Sequence, residues 1–185
     1  TLKGGGLRIG DDPTLVGAFL GLELGGAIEN VFEMGLSVDY YYREVENAIV
    51  LDQSSVAELP VQVLSAHHTS AHLVPVGLSL RLRLPTGTLW PFVSTTLDYE
   101  WLYLDNAGTV EPLFDSLAGD ETLDGWGIQA GGGLGIQLAS KVALMAEAGY
   151  HWGAPSQEFV LDGRPVELRV SMDGPYVRGG IRFGL

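Results

Sequence analysis

The stretch LVPVGLSLRLRLP, residues 73–85, alternates between two chemically different rows of side chains. Every second residue from Val74 to Leu84 is aliphatic, whereas the positions between them run from Leu73 through proline, glycine and serine to Arg81 and Arg83. Successive side chains of a β-strand point to opposite faces of its sheet. A strand formed here would therefore have one unbroken aliphatic face and one face of small and cationic residues.

The composition limits the kinds of protein that the chain can be. Its 185 residues suffice for one domain with a full core, and we take residues 1–185 as a single domain. The absence of cysteine excludes a disulfide framework and a thiolate metal site. A formal net charge of −13 argues against nucleic acid as a partner, because phosphate binding needs a basic face. The 26 glycines accompany a positive mean hydropathy, which favours crowded β-structure over disorder.

The same period of two recurs along the chain and predicts eight strands. They cover residues 2–9, 14–25, 30–45, 70–84, 89–104, 122–138, 141–152 and 166–185. Tight connections at GAIEN, PTGT and ASK alternate with long connections over 46–69, 105–121 and 153–165. The first connection, DDPT, is short but lies at the same end as the long ones. We therefore expect turns at one end of the structure and loops at the other.

Two architectures fit such strands: a soluble β-sandwich and a closed barrel that crosses a membrane. A sandwich needs large side chains inside and polar ones outside, but here one face is glycine, serine and paired charge, and the other carries six consecutive apolar positions. Strands of this length suit a bilayer, which takes about 9–11 residues tilted by about 45°. The sequence therefore predicts an all-β fold, an eight-stranded antiparallel up-and-down transmembrane β-barrel with its aliphatic rows towards lipid and its arginines inside.

Aromatic residues give an independent indication of a membrane. With the long loops outside, Trp90 and Phe183 fall at the turn end of their strands, and seven other aromatic residues fall at the loop end. The seven are Tyr40, Tyr42, Trp101, Tyr103, Trp126, Tyr150 and Trp152. Two aromatic belts are typical of a barrel that meets two membrane interfaces. No apolar run is long enough for a transmembrane helix, and the start at Thr1 in mid-pattern is compatible with removal of an export leader.

The whole chain resembles the small eight-stranded outer-membrane β-barrels of bacteria, the OmpA, OmpX and OmpW type, by its pattern rather than by a residue motif. The most specific part is the terminal YVRGGIRFGL, which is similar to the last strand that the barrel-assembly machinery reads. The signal positions are Val177, Ile181, Phe183 and Leu185, with leucine where a final phenylalanine is usual. The resemblance implies the bacterial outer membrane, outer-membrane lipid around the barrel, the assembly machinery as a partner during biogenesis, and both termini on the periplasmic side.

Twelve charged side chains are predicted to face the barrel interior, as six arginines and six carboxylates. They are Arg8, Glu23, Glu33, Asp39, Arg43, Arg81, Arg83, Asp98, Glu100, Glu147, Arg178 and Arg182. Because unpaired buried charge is costly, we expect a mutual network in which Arg81 and Arg83 lie near Asp98 and Glu100 on one side and near Asp39 or Glu33 on the other. An eight-stranded barrel is just wide enough for side chains to fill, which favours a plugged polar core, with a narrow channel as the alternative.

The four histidines could belong to an enzyme site or a metal site. Some of the small outer-membrane barrels that the chain resembles modify lipid through a serine or histidine–serine site near the rim. His67, His68 and His72 lie near serines, and His151 faces inward near the rim, but no G-x-S-x-G motif is present. His67 and His68 are adjacent and would point opposite ways on a strand. The glycine-rich AGGGLG lacks the lysine and the following helix of a phosphate loop. We expect no catalytic residue, no cofactor and no metal.

The long loops remain as a place for function. Their apolar residues must pack on each other or on another subunit, and the candidates for a contact between subunits are Val61, Val63, Leu64, Leu113, Phe114 and Leu117. We expect a non-enzymatic outer-membrane protein with a structural or surface-interaction role. Self-association would give closed oligomers or, through a head-to-tail contact, a filament or tube outside the cell. The alternatives are a narrow channel for small or hydrophobic solutes and, third, a lipid-modifying enzyme.

Overall fold

A computed structural model describes residues 1–8, 16–29, 31–45, 69–84, 87–106, 121–161 and 164–184, which form ten β-strands. They are β1 (Leu2–Arg8), β2 (Val16–Ile28), β3 (Phe32–Val45), β4 (Thr69–Arg83), β5 (Leu89–Asn106), β6 (Glu121–Ala139), β7 (Val142–Gly153), β8 (Ser156–Leu161), β9 (Arg164–Arg169) and β10 (Gly174–Phe183). Within these ranges, no helix is long and apolar enough to cross a membrane.

Eight of the strands close into one barrel. Strands β1 to β7 pair in chain order, β7 then pairs with β10, and β10 pairs with β1 to complete the circle. Every one of these pairings is antiparallel. The predicted fold, an eight-stranded antiparallel up-and-down barrel, is therefore confirmed.

The two ends of the barrel differ in their connections. Three residues join β2 to β3 and two join β6 to β7, and we call this side the turn end. Both ends of the described chain lie here, since the Thr1 ammonium donates to the Glu23 carbonyl at 2.7 Å and the Gly184 amide donates to the Lys141 carbonyl at 2.8 Å. The opposite side, where β3 ends and β4 begins, is the loop end.

A hairpin of β8 and β9 extends from the loop end, and it corrects the predicted last strand over 166–185. Residues up to Arg169 pair with β8, and the barrel strand begins only at Gly174. Backbone bonds from Val170 to Pro155 at 3.0 Å and from Met172 to Gly153 at 2.8 Å continue the β7–β10 ladder into the hairpin. The alternation of side chains runs through both segments, so periodicity alone did not separate them.

Side chains that alternate along the sequence point alternately to the outside and the inside of the barrel. In β3, Leu36 is 64% exposed whereas the next residue, Ser37, is 1% exposed. The outer wall carries a continuous series of exposed aliphatic side chains, which includes Leu20, Leu22, Leu24, Leu36, Val38, Leu78, Leu82, Val93, Leu97, Ile128, Leu134, Ile136, Leu144, Val177 and Ile181. A soluble monomer rarely exposes so large an apolar surface.

Two apolar clusters lie inside the barrel, one near each end. The turn-end cluster consists of Trp90, Phe92, Ala143 and Met145. The larger loop-end cluster consists of Leu7, Phe19, Tyr41, Leu73, Leu102, Leu104, Leu123, Leu168, Met172 and Tyr176. Because Leu168 belongs to β9, the hairpin folds one of its side chains onto the barrel's own core. The charged residues occupy the space between the clusters.

Candidate functional site

The inward faces of the strands gather most of the predicted charges inside the barrel. All six predicted carboxylates are buried, namely Glu23, Glu33, Asp39, Asp98, Glu100 and Glu147. Arg81 and Arg178 are buried with them, and the side chains of Arg83 and Arg182 are 18% and 24% exposed near the turn end. Arg43, at the loop end of β3, shares the inward parity of Asp39 and Tyr41. Arg8, at the loop end of β1, alternates with the inward Lys3 and Leu7 and so lies on the outward parity, which corrects its predicted place.

Arg81 of β4 connects three strands inside the barrel. Its Nη1 donates to Glu23 Oε1 at 3.1 Å and its Nη2 donates to Glu23 Oε2 at 3.2 Å. Nη1 also donates to Glu33 Oε2 at 3.2 Å, and the Phe92 ring centroid lies 5.0 Å from the guanidinium carbon. Bidentate, charge-assisted hydrogen bonds are the strong kind. Arg81 therefore holds β2 and β3 to β4 from the inside.

Arg178 of β10 forms a second centre on the opposite side of the interior. Its Nη2 donates to Glu147 Oε1 at 2.6 Å, and the same oxygen accepts from the hydroxyls of Ser94 and Tyr176 at 2.7 Å each. Its Nη1 donates to Gln129 Oε1 at 3.1 Å. These bonds compensate the desolvation of the buried carboxylate and tie β10 to β5, β6 and β7.

Lys3 belongs to this network although the sequence did not predict it. Its Nζ lies 3.1 Å from Asp39 Oδ1 and 3.6 Å from Glu23 Oε2, and its side chain is only 4% exposed. The prediction that placed Arg8 inward placed Lys3 outward, because the two have opposite parity, and the three glycines after Lys3 formed no apolar row to contradict it. Gln129 and Tyr176 were also missed, although each shares the inward parity of charged or small neighbours in its strand.

Trp90 is not part of an aromatic belt, and this prediction is wrong. The side chain is 2% exposed, and its ring lies 4.9 Å from the guanidinium carbon of Arg83 inside the barrel. Gly135 on β6 makes room for it, because a Cβ there would overlap the indole. Trp90 shares its parity in β5 with the inward Asp98, so the alternation itself required it to face inward.

The other predicted belt residues lie on the outer wall. Tyr40, Tyr42, Tyr103, Trp126, Tyr150 and Trp152 are exposed towards the loop end, Trp101 is partly exposed there, and Phe183 is exposed at the turn end. Val177, Ile181 and Phe183 of the predicted insertion signal are likewise exposed, and Leu185 lies outside the described residues. The six candidate interface residues, Val61, Val63, Leu64, Leu113, Phe114 and Leu117, also lie outside them, as do His67 and His68.

Asp98 and Glu100 do not meet the arginines that we predicted for them. The residue of β5 opposite Arg81 is Ser94, so the two carboxylates sit further towards the loop end. Asp98 Oδ2 accepts from Gln129 Nε2 at 2.9 Å, and Glu100 Oε1 lies 2.5 Å from His151 Nε2. Asp98, Glu100 and His151 are each 1% exposed or less. They form a second group nearer the loop end, which Gln129 joins to Arg178.

A small cavity lies within the described charge network. A cavity of about 10 Å³ lies among Lys3, Arg81, Glu147 and Arg178, which is room for about one water molecule. The turn-end cluster lies below the ion pairs and the loop-end cluster lies above them. Apolar clusters thus lie on both sides of a network in which arginines and Lys3 contact four of the six inward carboxylates.

Comparison with known proteins agrees with this architecture. No protein-family profile matches the chain, and no curated protein matches it in sequence. Among solved structures, the chain is similar to Neisserial surface protein A, with a TM-score of 0.55 and 14% identity over 100% of this chain and 93% of that one. Ail, the attachment invasion locus protein of Yersinia pestis, aligns with a TM-score of 0.40 and 11% identity over 98% and 93%. The first likeness shows the fold alone, that of the small eight-stranded outer-membrane barrels.

Proposed function

We propose that the chain is a non-enzymatic protein of the bacterial outer membrane, whose filled barrel anchors loops with a structural or surface-interaction role. One observation carries the proposal: an exposed aliphatic outer wall encloses an interior occupied by ion pairs and closed by apolar clusters. The outer wall is what a bilayer requires of a barrel. The filled interior is what an anchor, rather than a pore, requires.

The outer wall supports the membrane location. Exposed side chains such as Leu20 at 70% and Leu24 at 68% would face water in a soluble protein, at about 25 cal/mol for each Å² of apolar surface. In a bilayer the same surface contacts acyl chains. Exposed tyrosines and tryptophans near the loop end match the interfacial belt of such barrels. The likeness in fold to a Neisserial surface protein agrees with this location.

The interior supports an anchor over the alternative of a channel. A solute entering at the turn end would meet Trp90 and Phe92, which are 2% and 4% exposed. It would then have to separate Arg81 from Glu23, and a buried charge that loses its partner costs about 3–5 kcal/mol. Beyond the ion pairs, the loop-end cluster fills the barrel again.

Conductance in planar bilayers tests this proposal. We expect the refolded chain to insert, as shown by heat-modifiable migration on gels, and to give no discrete conductance steps, whereas a general porin in the same lipid does. Reproducible steps from the inserted chain would contradict the anchor and favour the channel. Failure to insert into vesicles at all would contradict the membrane location itself.

The arrangement around His151 supports a non-enzymatic protein over a lipid-modifying one. His151 is 1% exposed, so a lipid in the outer leaflet has no contact with it. The hydrogen bonds that the structure gives His151 join it to the Met172 carbonyl and to Glu100, and neither partner is a hydroxyl. A nucleophile must lie within hydrogen-bond reach of its base. The test is incubation of refolded protein with lipopolysaccharide, for which we expect no change in the mass of the lipid A; loss or transfer of an acyl chain would contradict the proposal.

The more specific part of the proposal is that the protein associates with copies of itself through its loops, and this part rests on the sequence. Val61, Val63, Leu64, Leu113, Phe114 and Leu117 form apolar stretches in the two longest connections. We expect Phe114→Ser with Leu117→Ser to convert oligomers into monomers while the thermal midpoint of the barrel is kept. A wild-type chain that is monomeric by light scattering in detergent would contradict self-association.

A further inference from the structure

We propose that Asp98, Glu100 and His151 bind one divalent transition-metal ion, for which Zn²⁺ is the best match, inside the loop end of the barrel. One potential ligand atom from each residue lies within 4.8 Å of the others, and all three side chains are buried. Asp98 and Glu100 come from one inward face of β5, and His151 comes from β7 two strands away, so the site joins non-neighbouring strands.

The distribution of charge around Asp98 and Glu100 favours the binding of a cation. Four of the six inward carboxylates, Glu23, Glu33, Asp39 and Glu147, have arginine or lysine nitrogens within 4.0 Å. Among the described residues, Asp98 has no such contact and Glu100 contacts only His151. Both carboxylates are 0% exposed and lie two residues apart on one face. Two adjacent buried anions need a positive charge that the nearby arginines do not supply.

The hydrogen bonding of His151 shows which nitrogen is available. Nδ1 lies 3.0 Å from the carbonyl oxygen of Met172, and because a carbonyl can only accept, Nδ1 carries the hydrogen. In the neutral ring, Nε2 then presents a lone pair to Glu100 Oε1 at 2.5 Å. Two acceptors at that distance repel unless a proton or a metal ion lies between them. A histidine whose second nitrogen donates to a backbone carbonyl is the usual arrangement of a metal ligand.

The carboxylates retain unused ligand atoms. Asp98 Oδ1 and Glu100 Oε2 are buried without a hydrogen-bond partner in the described structure. Gln129 holds the other oxygen of Asp98 at 2.9 Å and connects it to Arg178. Gly127 and Gly153 pair across β6 and β7 beside Glu100, and a Cβ on either would overlap its carboxylate. The surroundings thus orient both carboxylates and leave their free oxygens unsatisfied.

The ligand set selects the metal. Imidazole nitrogen with two carboxylates suits Zn²⁺ and other first-row ions, whereas Mg²⁺ and Ca²⁺ prefer oxygen ligands alone. Zinc–ligand distances of about 2.0–2.2 Å in a tetrahedron place two ligand atoms about 3.3 Å apart, so His151 and Glu100 need to separate by less than about 1 Å. Binding would release to solvent the proton that otherwise joins them. Because the loop-end cluster covers the group, we infer that the ion is taken up during folding.

The test uses the full chain with His67, His68 and His72 replaced by glutamine, so that His151 is the only histidine left. We call this variant the background protein. This protein is refolded from urea into detergent with either EDTA or a stoichiometric amount of Zn²⁺, and loosely held metal is removed by gel filtration. We expect about one zinc ion per chain by atomic emission, as for a single closed site, and a higher thermal midpoint than after EDTA. Mg²⁺ offered in the same way should not be retained.

Isosteric variants identify the ligands. In Glu100→Gln the amide can donate to Nε2, so the pair keeps a hydrogen bond while the charge is lost, and Asp98→Asn keeps the side-chain shape. We expect each variant to lower zinc retention at least about tenfold and to abolish the zinc-dependent shift of the thermal midpoint. Glu158→Gln, which changes an exposed carboxylate on β8, is the matched control and should retain zinc.

Two results would overturn the proposal. One is a background protein that folds but retains no zinc, which would leave His151 and Glu100 as a pair joined by a proton. The other is equal zinc retention by the background protein, Glu100→Gln and Asp98→Asn, which would place the metal elsewhere. Since the background protein alone decides the first result, the test does not depend on the variants folding.

Discussion

Arg81 of β4 and Glu23 of β2 form a bidentate ion pair across the intervening strand β3, with N–O distances of 3.1 and 3.2 Å. Both side chains are less than 10% exposed. We predict that Arg81→Met lowers the free energy of unfolding by about 3–5 kcal/mol, because it removes the buried cation that forms the bidentate pair with Glu23 and also binds Glu33. The double variant with Glu23→Gln should lose less than Arg81→Met alone.

Urea titration of the protein in lipid vesicles measures both effects, and the exposed Arg169→Met of the hairpin is the control, expected within about 0.5 kcal/mol of wild type. If Arg81→Met and the double variant were equally stable, Glu23 would be hydrated when unpaired. That outcome would indicate a water-filled interior and would favour the channel.

Leu80 lies near the middle of the outward aliphatic row that runs from Val74 to Leu84, opposite Met34 of β3. We predict that Leu80→Arg lowers the free energy of unfolding in a bilayer by about 2–4 kcal/mol, because it places a cation near the bilayer midplane. Leu80→Val, which keeps an aliphatic side chain, should cost less than about 1.5 kcal/mol. Equal stability of the arginine and valine variants in vesicles would show that Leu80 does not contact lipid.

Gly135 on β6 faces Trp90 on β5 inside the barrel, and a Cβ on the glycine would overlap the indole ring. We predict that Gly135→Ala destabilises the protein by about 1–3 kcal/mol through overpacking. At Gly179 on β10, the nearest atom to an added Cβ is 3.7 Å away, so Gly179→Ala serves as a control with little effect. Chemical denaturation followed by tryptophan fluorescence compares the two; matching curves would show that the indole can move aside.

Tyr176 donates its hydroxyl hydrogen to Glu147 in the buried interior. We predict that Tyr176→Phe costs about 1.5–3 kcal/mol, the usual contribution of a hydrogen bond to a charged group. Tyr150→Phe removes the same atom from an exposed residue of the outer wall and should be almost neutral. The comparison is made by thermal unfolding in detergent, and a Tyr176→Phe variant as stable as Tyr150→Phe would show that the remaining donors satisfy Glu147.

Much of the barrel could be predicted from sequence because a period of two assigns each side chain to a face. The aliphatic row of β4 and the inward Arg81 and Arg83 follow from that period alone. The same rule placed Trp90 inside with Asp98, and the belt prediction was wrong because the position of Trp90 along the strand was weighed above its parity. The hairpin of β8 and β9 was missed because its alternation continues into the last strand.

The partners of the charges could not be predicted, since they depend on how far each strand is shifted against its neighbour. A shift of two residues keeps every face and changes every contact. Arg81 meets Glu23 two strands away instead of Asp98 on the adjacent strand, and only the three-dimensional register decides this. The group of Asp98, Glu100 and His151 was invisible for the same reason, because β5 and β7 are not neighbours.

The pairing of β1 with β10 has a consequence for the order of assembly. The other barrel pairings join strands that are consecutive in the chain, or in the case of β7 and β10 are separated only by the hairpin, whereas this one brings Leu2 opposite Ile181. Until it forms, two strands present unpaired amide and carbonyl groups, which hydrocarbon cannot solvate. A partly closed sheet is therefore not a stable intermediate in a bilayer. Insertion and closure should occur as one cooperative event, at a rate set by the meeting of distant segments rather than by the faster formation of any local hairpin.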